Sequence, residues 1–372
     1  MDNKMEVQLY TSYSKLLKKS VLLVSLFLVL AMTAVAQEKY EAPKLSSEDS
    51  WSMIIIPDPQ TYVKFGRNQP LFELMTAWIS ENIEHLNIKM VLCVGDLVEQ
   101  NEIINPDGKS GNQPSKLQWE SVSRAFERLD GRVPYITALG NHDYGYKSIE
   151  NRKSNFNHYF PVDKNFQNMK ILRDVALNAE EIPTLENASF EMTSPHGRKM
   201  LFISLEFAPR DTIISWAKMI VGAEKYKDHT VVILTHSYLN AKDEHIVKEN
   251  YPIEDYNYGQ AIFEKLVKPS HNIQMVISGH IASPNNPRAH VGFRTDTNAA
   301  NKKVQQMLFN AQALGGGWMG NGGDGWLRIL EFMPDDHTIQ VKTFSPLFAI
   351  SPTTQQFAWR KEAYDEFSFE ID

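Results

Sequence analysis

Short apolar runs recur along this chain, and five of them stop at a cluster of polar residues. Ile54-Ile55-Ile56 precedes Pro57-Asp58-Pro59-Gln60, and Val91-Leu92-Cys93-Val94 precedes Gly95-Asp96. Ala138-Leu139 leads into Gly140-Asn141-His142-Asp143, Val231-Val232-Ile233-Leu234 into Thr235-His236, and Met275-Val276-Ile277 into Ser278-Gly279-His280. Runs of this length without alternation read as buried strands. Between them the period changes. Leu71, Leu74, Met75, Trp78, Ile79 and Ile83 fall on one helical face, with Pro70 at a first helical position. Further helices are predicted near 118–129, 211–223 and 259–267, and a strand over 133–139. Segments 188–193 and 199–205 flank Ser194-Pro195-His196-Gly197 as a hairpin.

After His280 the pattern changes to strand-like runs near 288–294, 303–309, 326–333 and 338–344 with no helix between them. Alternating strand–helix units followed by strands predict an α/β layered sandwich completed by antiparallel strands. Phe357, Trp359, Tyr364 and Phe367 predict that the C-terminal segment, 346–372, packs on one domain spanning 51–345.

At the other end, Lys15, Lys18 and Lys19 precede an apolar run from Val21 to Leu30, and Ala34-Val35-Ala36 offers small residues for cleavage. Residues 1–36 therefore read as a signal peptide and 37–50 as a polar leader, so the protein is expected to be exported, to the periplasm, cell surface or exterior. The apolar run is short for a membrane span, and none is expected after cleavage. Without residues 1–36, 34 basic side chains face 43 acidic ones, a net charge of −9. That balance argues against binding duplex nucleic acid. The single cysteine, Cys93, lies inside an apolar run and reads as core packing. Asn187-Ala188-Ser189 matches a glycosylation acceptor. His85, His158, His196, His229, His245 and His271 lack strand-end context and read as surface or loop residues.

The five run ends deliver carboxylates, amides and imidazoles but no thiolate, a donor set suited to hard or borderline divalent cations. In this order they resemble the calcineurin-like metallophosphoesterase superfamily, from about residue 51 to 345. The resemblance implies a four-layer α/β/β/α sandwich and two divalent ions, of Mn, Fe or Zn. It implies Asp58, Gln60 and Asp96 around one ion, and Asp96, Asn141, His236 and His280 around the other. Asp96 would bridge, and His142 would assist leaving-group departure. Glu99 falls where relatives carry an acid that orients this histidine, and Asp143 closes the Gly-Asn-His-Asp motif. Two positions depart from the family pattern: Gln60 stands in place of a histidine, and Ala282 in place of the second histidine of Gly-His-x-His. His290 or Gln312 are candidates to compensate. Trp318, in the glycine-rich stretch 315–325, is a candidate substrate contact, as are Tyr144 and Tyr146.

The expected activity is hydrolysis of a phosphoester, mono- or diester, by water activated between metal ions. The expected partner is a phosphorylated small molecule or a surface glycan or lipid phosphate. The alternative is a non-catalytic binding protein on the same scaffold with an eroded first metal site.

Overall fold

Sheet register decides which side chains of this chain meet. The computed structural model describes Lys19 and residues 40–372 except Pro287. The segment 1–36 expected to be a signal peptide therefore lies, Lys19 apart, outside the described residues. Contacts divide the chain at Glu41/Ala42, and the sheets and their helices all belong to the unit Ala42–Asp372.

In chain order the strands are β1 (Trp51–Ile56), β2 (Ile88–Cys93), β3 (Tyr135–Thr137), β4 (Leu172–Leu177) and β5 (Pro183–Thr193). Next come β6 (Lys199–Ser204), β7 (Thr230–Leu234), β8 (Ile273–Ser278), β9 (Val291–Thr297) and β10 (Lys303–Phe309). The last are β11 (Leu327–Phe332), β12 (Thr338–Phe344), β13 (Trp359–Arg360) and β14 (Phe367–Glu370). They form two sheets. One runs β13-β12-β11-β1-β2-β3 with β14 also on β12, and the other runs β4-β5-β6-β7-β8-β10-β9.

The pairings β1/β2, β2/β3, β6/β7, β7/β8 and β8/β10 are parallel. Parallel register puts Ile55 beside Leu92 and Leu92 beside Ile136 on one sheet, and Phe202 beside Val232 and Val232 beside Met275 on the other. All of these lie in one buried cluster between the sheets. Each contributes about 1.5–3 kcal/mol through burial.

The outer faces carry helices. Helix Gln69–Glu81 packs Trp78 on Phe344 of β12, with ring centroids 5.0 Å apart. Helix Ser115–Glu127 sets Phe126 against Tyr135 of β3 at 4.9 Å. On the second sheet, Ile213, Ile214 and Ala217 of helix Asp211–Val221 join Leu201, Ile203, Val231 and Ile233 in a separate core, with Ile262 and Leu266 from the segment Gly259–Val267. The order is helix, sheet, sheet, helix: the four-layer α/β/β/α sandwich.

Several local expectations shift. β4 carries little apolar signal because it is an edge strand, half to fully exposed. The strands after His280 divide between both sheets, and β10 is parallel to β8 rather than antiparallel. β9 begins at Val291, after a turn that takes up the preceding residues. Of the C-terminal aromatics, Phe367 and Trp359 sit in strands paired to β12, whereas Phe357 is exposed. In the leader, Ser46 Oγ donates to Glu331 of β11 at 3.0 Å. Asn187 is fully buried in β5 and donates to Glu206 at 2.9 Å, so its side chain is closed to glycosylation. His229 and His245 are buried, bonded to Glu191 and Gln306 respectively. Cys93 is buried, and burial pushes its thiol pKa up. Among the described residues no helix is long and apolar enough to cross a membrane.

Candidate metal centre

Because the central strands run parallel, their C-terminal ends lie along one rim, and the loops leaving them carry the polar clusters. Asp58 and Gln60 follow β1, Asp96 follows β2, Asn141 and His142 follow β3, His236 follows β7, His280 follows β8, and Asn310 and Gln312 follow β10. Gln60, Asp96, Asn141, His142, His280 and Gln312 line a cleft of about 280 Å³, with Lys64, Glu99, Tyr251 and Trp318 on its walls. Ligand atoms of Asp96, His236 and His280 lie within 4.8 Å of one another.

The backbone there is unusual. Asp96 has φ of 50° and His280 has φ of 75°, both in the left-handed region. Non-glycine residues held so cost about 1–3 kcal/mol each and persist where surrounding contacts enforce them. The approach is close: a Cβ added at Gly140 would sit 2.1 Å from Oδ1 of Asp96. That oxygen accepts the backbone N–H of His142 at 3.0 Å.

Hydrogen bonds fix which ring atom of each histidine faces the cleft. Nδ1 of His236 lies 2.7 Å from the carbonyl of Val94, which only accepts, so Nδ1 carries the proton and Nε2 presents its lone pair. His280 is held the other way round. Its Nε2 meets Oε1 of Glu249 at 2.6 Å, while Oε2 of Glu249 accepts from Ser237 at 2.6 Å, and Nδ1 is left free. The amide of Asn141 donates to Ser148 at 2.9 Å, which turns its Oδ1 inward.

Four buried atoms consequently have no hydrogen-bond partner: Gln60 Oε1, Asn141 Oδ1, His236 Nε2 and His280 Nδ1. His236 Nε2 lies 3.1 Å from Oδ2 of Asp96 but outside hydrogen-bonding geometry. An unpaired buried polar atom costs about 1–3 kcal/mol. Four of them, all electron-pair donors beside a carboxylate, fit divalent cations. His236, His280, Asn141 and Asp96 can hold one such ion, and Asp58, Gln60 and Asp96 a second.

The carboxylates are perturbed in opposite directions. Burial and the nearby Asp96 charge raise the pKa of Asp58 well above the usual carboxylate range. Burial also raises Asp96, but the imidazolium forms of His236 and His142 outweigh it and hold that group strongly acidic, a charge that a cation at His236 Nε2 would supply in place of the proton. Cations in the cleft would relieve the repulsion between these two carboxylates.

Other expected residues stand elsewhere. The Glu99 carboxylate pairs with the buried Lys64 at 3.1 Å; its backbone carbonyl, 2.7 Å from Nδ1, orients His142. Asp143 accepts from the backbone of Gly140 at 2.8 Å and Val98 at 3.1 Å, tying two strand-end loops together without facing the cleft. His290, whose Nε2 pairs with Asp365 at 3.2 Å, is not among the residues that line the cleft and does not stand in for the histidine missing at Ala282. Tyr144 is buried against Glu186, and Tyr146 is exposed, so only Trp318 of the proposed aromatic contacts lines the cleft. The glycine-rich stretch around Trp318 is anchored, since Arg67 and Asn68 donate to the carbonyls of Met319 and Gly320 at 2.7 Å each. Gly322, with φ of 102°, lies so near the Tyr62 ring that a Cβ would approach it to 2.3 Å.

Glu249, Ser148 and Tyr251 carry no strand-end signal in the sequence, whereas Ser237 directly follows His236 after β7. Asn310 shares the strand end that marks Gln312.

The fold is a two-sheet sandwich, and this cluster of donors is a candidate metal site at its rim. The profile of the calcineurin-like phosphoesterase family matches residues 54–284, and the chain belongs to that family. It is similar to YvnB of Bacillus subtilis (strain 168), an uncharacterized protein, with 26% identity over 358 residues; the match covers 96% of this chain and 24% of that protein. The chain thus spans about a quarter of the length of that curated relative. Similar solved structures include the purple acid phosphatase PPD1 from yellow lupin (Lupinus luteus) seeds, at 15% identity and TM-score 0.46, covering 90% of this chain and 55% of that one. A dimetal phosphatase from Danio rerio matches at 9% identity and TM-score 0.47, covering 87% of this chain and 99% of that one. GAP50, the anchor in the inner membrane complex of Plasmodium, matches at 10% identity and TM-score 0.41, covering 87% and 89%.

Proposed function

We propose that this protein is an exported hydrolase of phosphoesters that works with divalent cations bound at the rim of its sheets. The observation that carries the reading is the set of four unpartnered donor atoms around Asp96, on Gln60, Asn141, His236 and His280. Divalent cations in such a pocket supply Lewis-acid polarisation of phosphoryl oxygens and acidify water.

The chain's own residues supply the rest. Asp96, with Oδ1 on the His142 N–H and Oδ2 3.1 Å from His236 Nε2, is the natural shared ligand. His142 has Nδ1–H committed to the Glu99 carbonyl, so a protonated ring carries its second proton on Nε2, available to the leaving-group oxygen. Lys64 on the wall is neutralised by Glu99 at 3.1 Å, so attraction of an anionic ester falls to the bound cations. A volume of about 280 Å³ suits a phosphoryl group with a modest leaving group, whether monoester or diester. Phosphorylated small molecules and surface glycan or lipid phosphates both present that chemistry, and the signal-like N-terminus supports the export.

Ala282 and the amide contacts on Asp58 favour a second reading, a non-catalytic binder that holds one ion. Turnover decides between them. The wild-type protein with Mn²⁺ or Zn²⁺ is expected to hydrolyse nitrophenyl phosphate or its diester, and Asp96→Ala and His142→Ala are each expected to abolish this while remaining folded. Wild-type rates in both variants would end the hydrolase reading.

A further inference from the structure

We infer that the two cation positions differ in hardness: the ligand atoms offered at Asp58 and Gln60 are oxygens alone, so that position takes Mn²⁺ or Mg²⁺, whereas the one at His236 and His280 takes a borderline ion such as Zn²⁺. The inference rests on the metal-dependent reading above and refines it.

The second position has two imidazole nitrogens with the oxygens of Asp96 and Asn141, a set suited to zinc and its neighbours. Around Asp58 the chemistry is different. Among the described residues, the grouping of histidine and acidic ligand atoms close enough to share an ion contains Asp96, His236 and His280 but not Asp58. Two residues beyond His280, Ala282 has no donor atom to offer.

A chain of amides takes the place of the missing imidazole. Asn310 Oδ1 accepts the backbone N–H of Gln312 at 3.2 Å, so its Nδ2 must be the atom 2.6 Å from Oδ2 of Asp58. Gln312 Nε2 donates to the same oxygen at 3.0 Å. With its nitrogen so placed, Gln312 turns Oε1 toward Gln60, whose Nε2 donates to it at 2.5 Å. Thr61 donates to that Oε1 as well, at 3.0 Å. Only one arrangement of the Gln60 amide remains: nitrogen toward Gln312 and oxygen into the cleft. That oxygen is the unpartnered one, on a side chain only 4% exposed.

Gln312 is therefore a positioning residue. It chooses the atom Gln60 shows to a cation, and it holds Asp58 in place. Carboxylate and amide oxygens without nitrogen or sulfur suit hard ions, which bind such sites more weakly than zinc binds imidazole.

Metal binding to chelator-stripped protein tests this without reference to turnover. In equilibrium dialysis, one Zn²⁺ is expected to bind tightly and a second at least tenfold more weakly. Mn²⁺ added to the one-zinc protein is expected to fill the remaining position and give the six-line electron paramagnetic resonance spectrum of an isolated Mn²⁺. Gln60→His, which places an imidazole there, should raise zinc affinity at that position tenfold or more and displace Mn²⁺. Gln312→Ala should weaken the Mn²⁺ equivalent about tenfold while sparing the tight zinc. Two equally tight zinc ions in the wild type, or an unchanged zinc preference in Gln60→His, would overturn the asymmetry and leave the hydrolase reading standing. Failure to bind any cation would overturn both. The wild-type titration decides even if a variant does not fold.

Discussion

The carboxylate of Glu249 stands 2.6 Å from Nε2 of His280, although 31 residues separate them in the chain. Glu249 lies between β7 and β8, in the long connection outside any strand or helix, and its second oxygen is held by Ser237. The pair fixes the imidazole so that Nδ1 faces the cleft, an arrangement in which an outer carboxylate raises the basicity of a metal ligand. Glu249→Ala should lower affinity for the tightly bound cation by about 10–100-fold. Glu249→Gln, which can still reach the ring, should lose less. A competition titration with a chromophoric zinc chelator reads both, and equal affinity in wild type and Glu249→Ala would remove the role assigned to this pair.

His142 and Glu99 are connected through main chain, not through a carboxylate. His142→Ala should reduce turnover by about 10²–10⁴-fold with bound metal unchanged. Glu99→Ala should keep turnover within tenfold of wild type, because the carbonyl that holds Nδ1 survives the substitution. Its cost should appear in stability, since it strands Lys64, whose side chain is only 3% exposed. Thermal melts and steady-state kinetics on the two variants separate these effects. A kinetic collapse in Glu99→Ala would show that the carboxylate acts on chemistry after all.

Asp143 contributes to architecture. Its two oxygens satisfy the backbone N–H groups of Gly140 and Val98, both in loops that carry site residues. Asp143→Ala leaves two buried donors unpaired, at about 1–3 kcal/mol each. Urea unfolding should show a loss of about 2–6 kcal/mol, with Asp143→Asn less affected because its amide oxygen can keep one contact.

Asp365 gives a pH signature remote from the cleft. Burial raises its pKa, but His290, Arg328 and Arg360 outweigh burial and hold it below the usual value. Its contacts are 3.2 Å to His290 and 2.6 Å to Arg360. A depressed folded-state pKa adds stability that is fully present above the unfolded value of about 3.9, and is lost as pH falls through the lower folded value. Asp365→Asn should therefore be about 3–5 kcal/mol less stable than wild type at neutral pH. The gap should close on acidification. A gap that is constant from pH 7 to pH 3 in denaturant titrations would contradict the assignment.

Most of the architecture was legible from the order of residues. Buried parallel strands need continuous apolar runs and helices on their faces need a 3.6-residue period, so β1, β2, β7 and β8 and the helices at Gln69–Glu81 and Asp211–Val221 announce themselves. The polar clusters at the ends of those strands, and of β3, place Asp58, Gln60, Asp96, Asn141, His142, His236 and His280 together, because parallel strands bring their C-terminal ends to one rim. Edge strand β4 escaped notice because half-exposed positions need no apolar pattern. The parallel placement of β10 is likewise invisible locally, since the partner of a strand is chosen by packing across the sandwich.

What the order of residues could not decide is which atom of each side chain faces the cleft. That depends on contacts between loops far apart in the chain: Glu249 on His280, the Glu99 carbonyl on His142, Asn310 and Gln312 on Asp58 and Gln60. A hydrogen bond acts over about 3 Å, and loops without periodic structure carry no local record of what they will meet at that range. The kinds of donor and their strand-end positions are therefore properties of the sequence. Their orientation, and with it which atom of each side chain is presented to a cation, belongs to the tertiary structure.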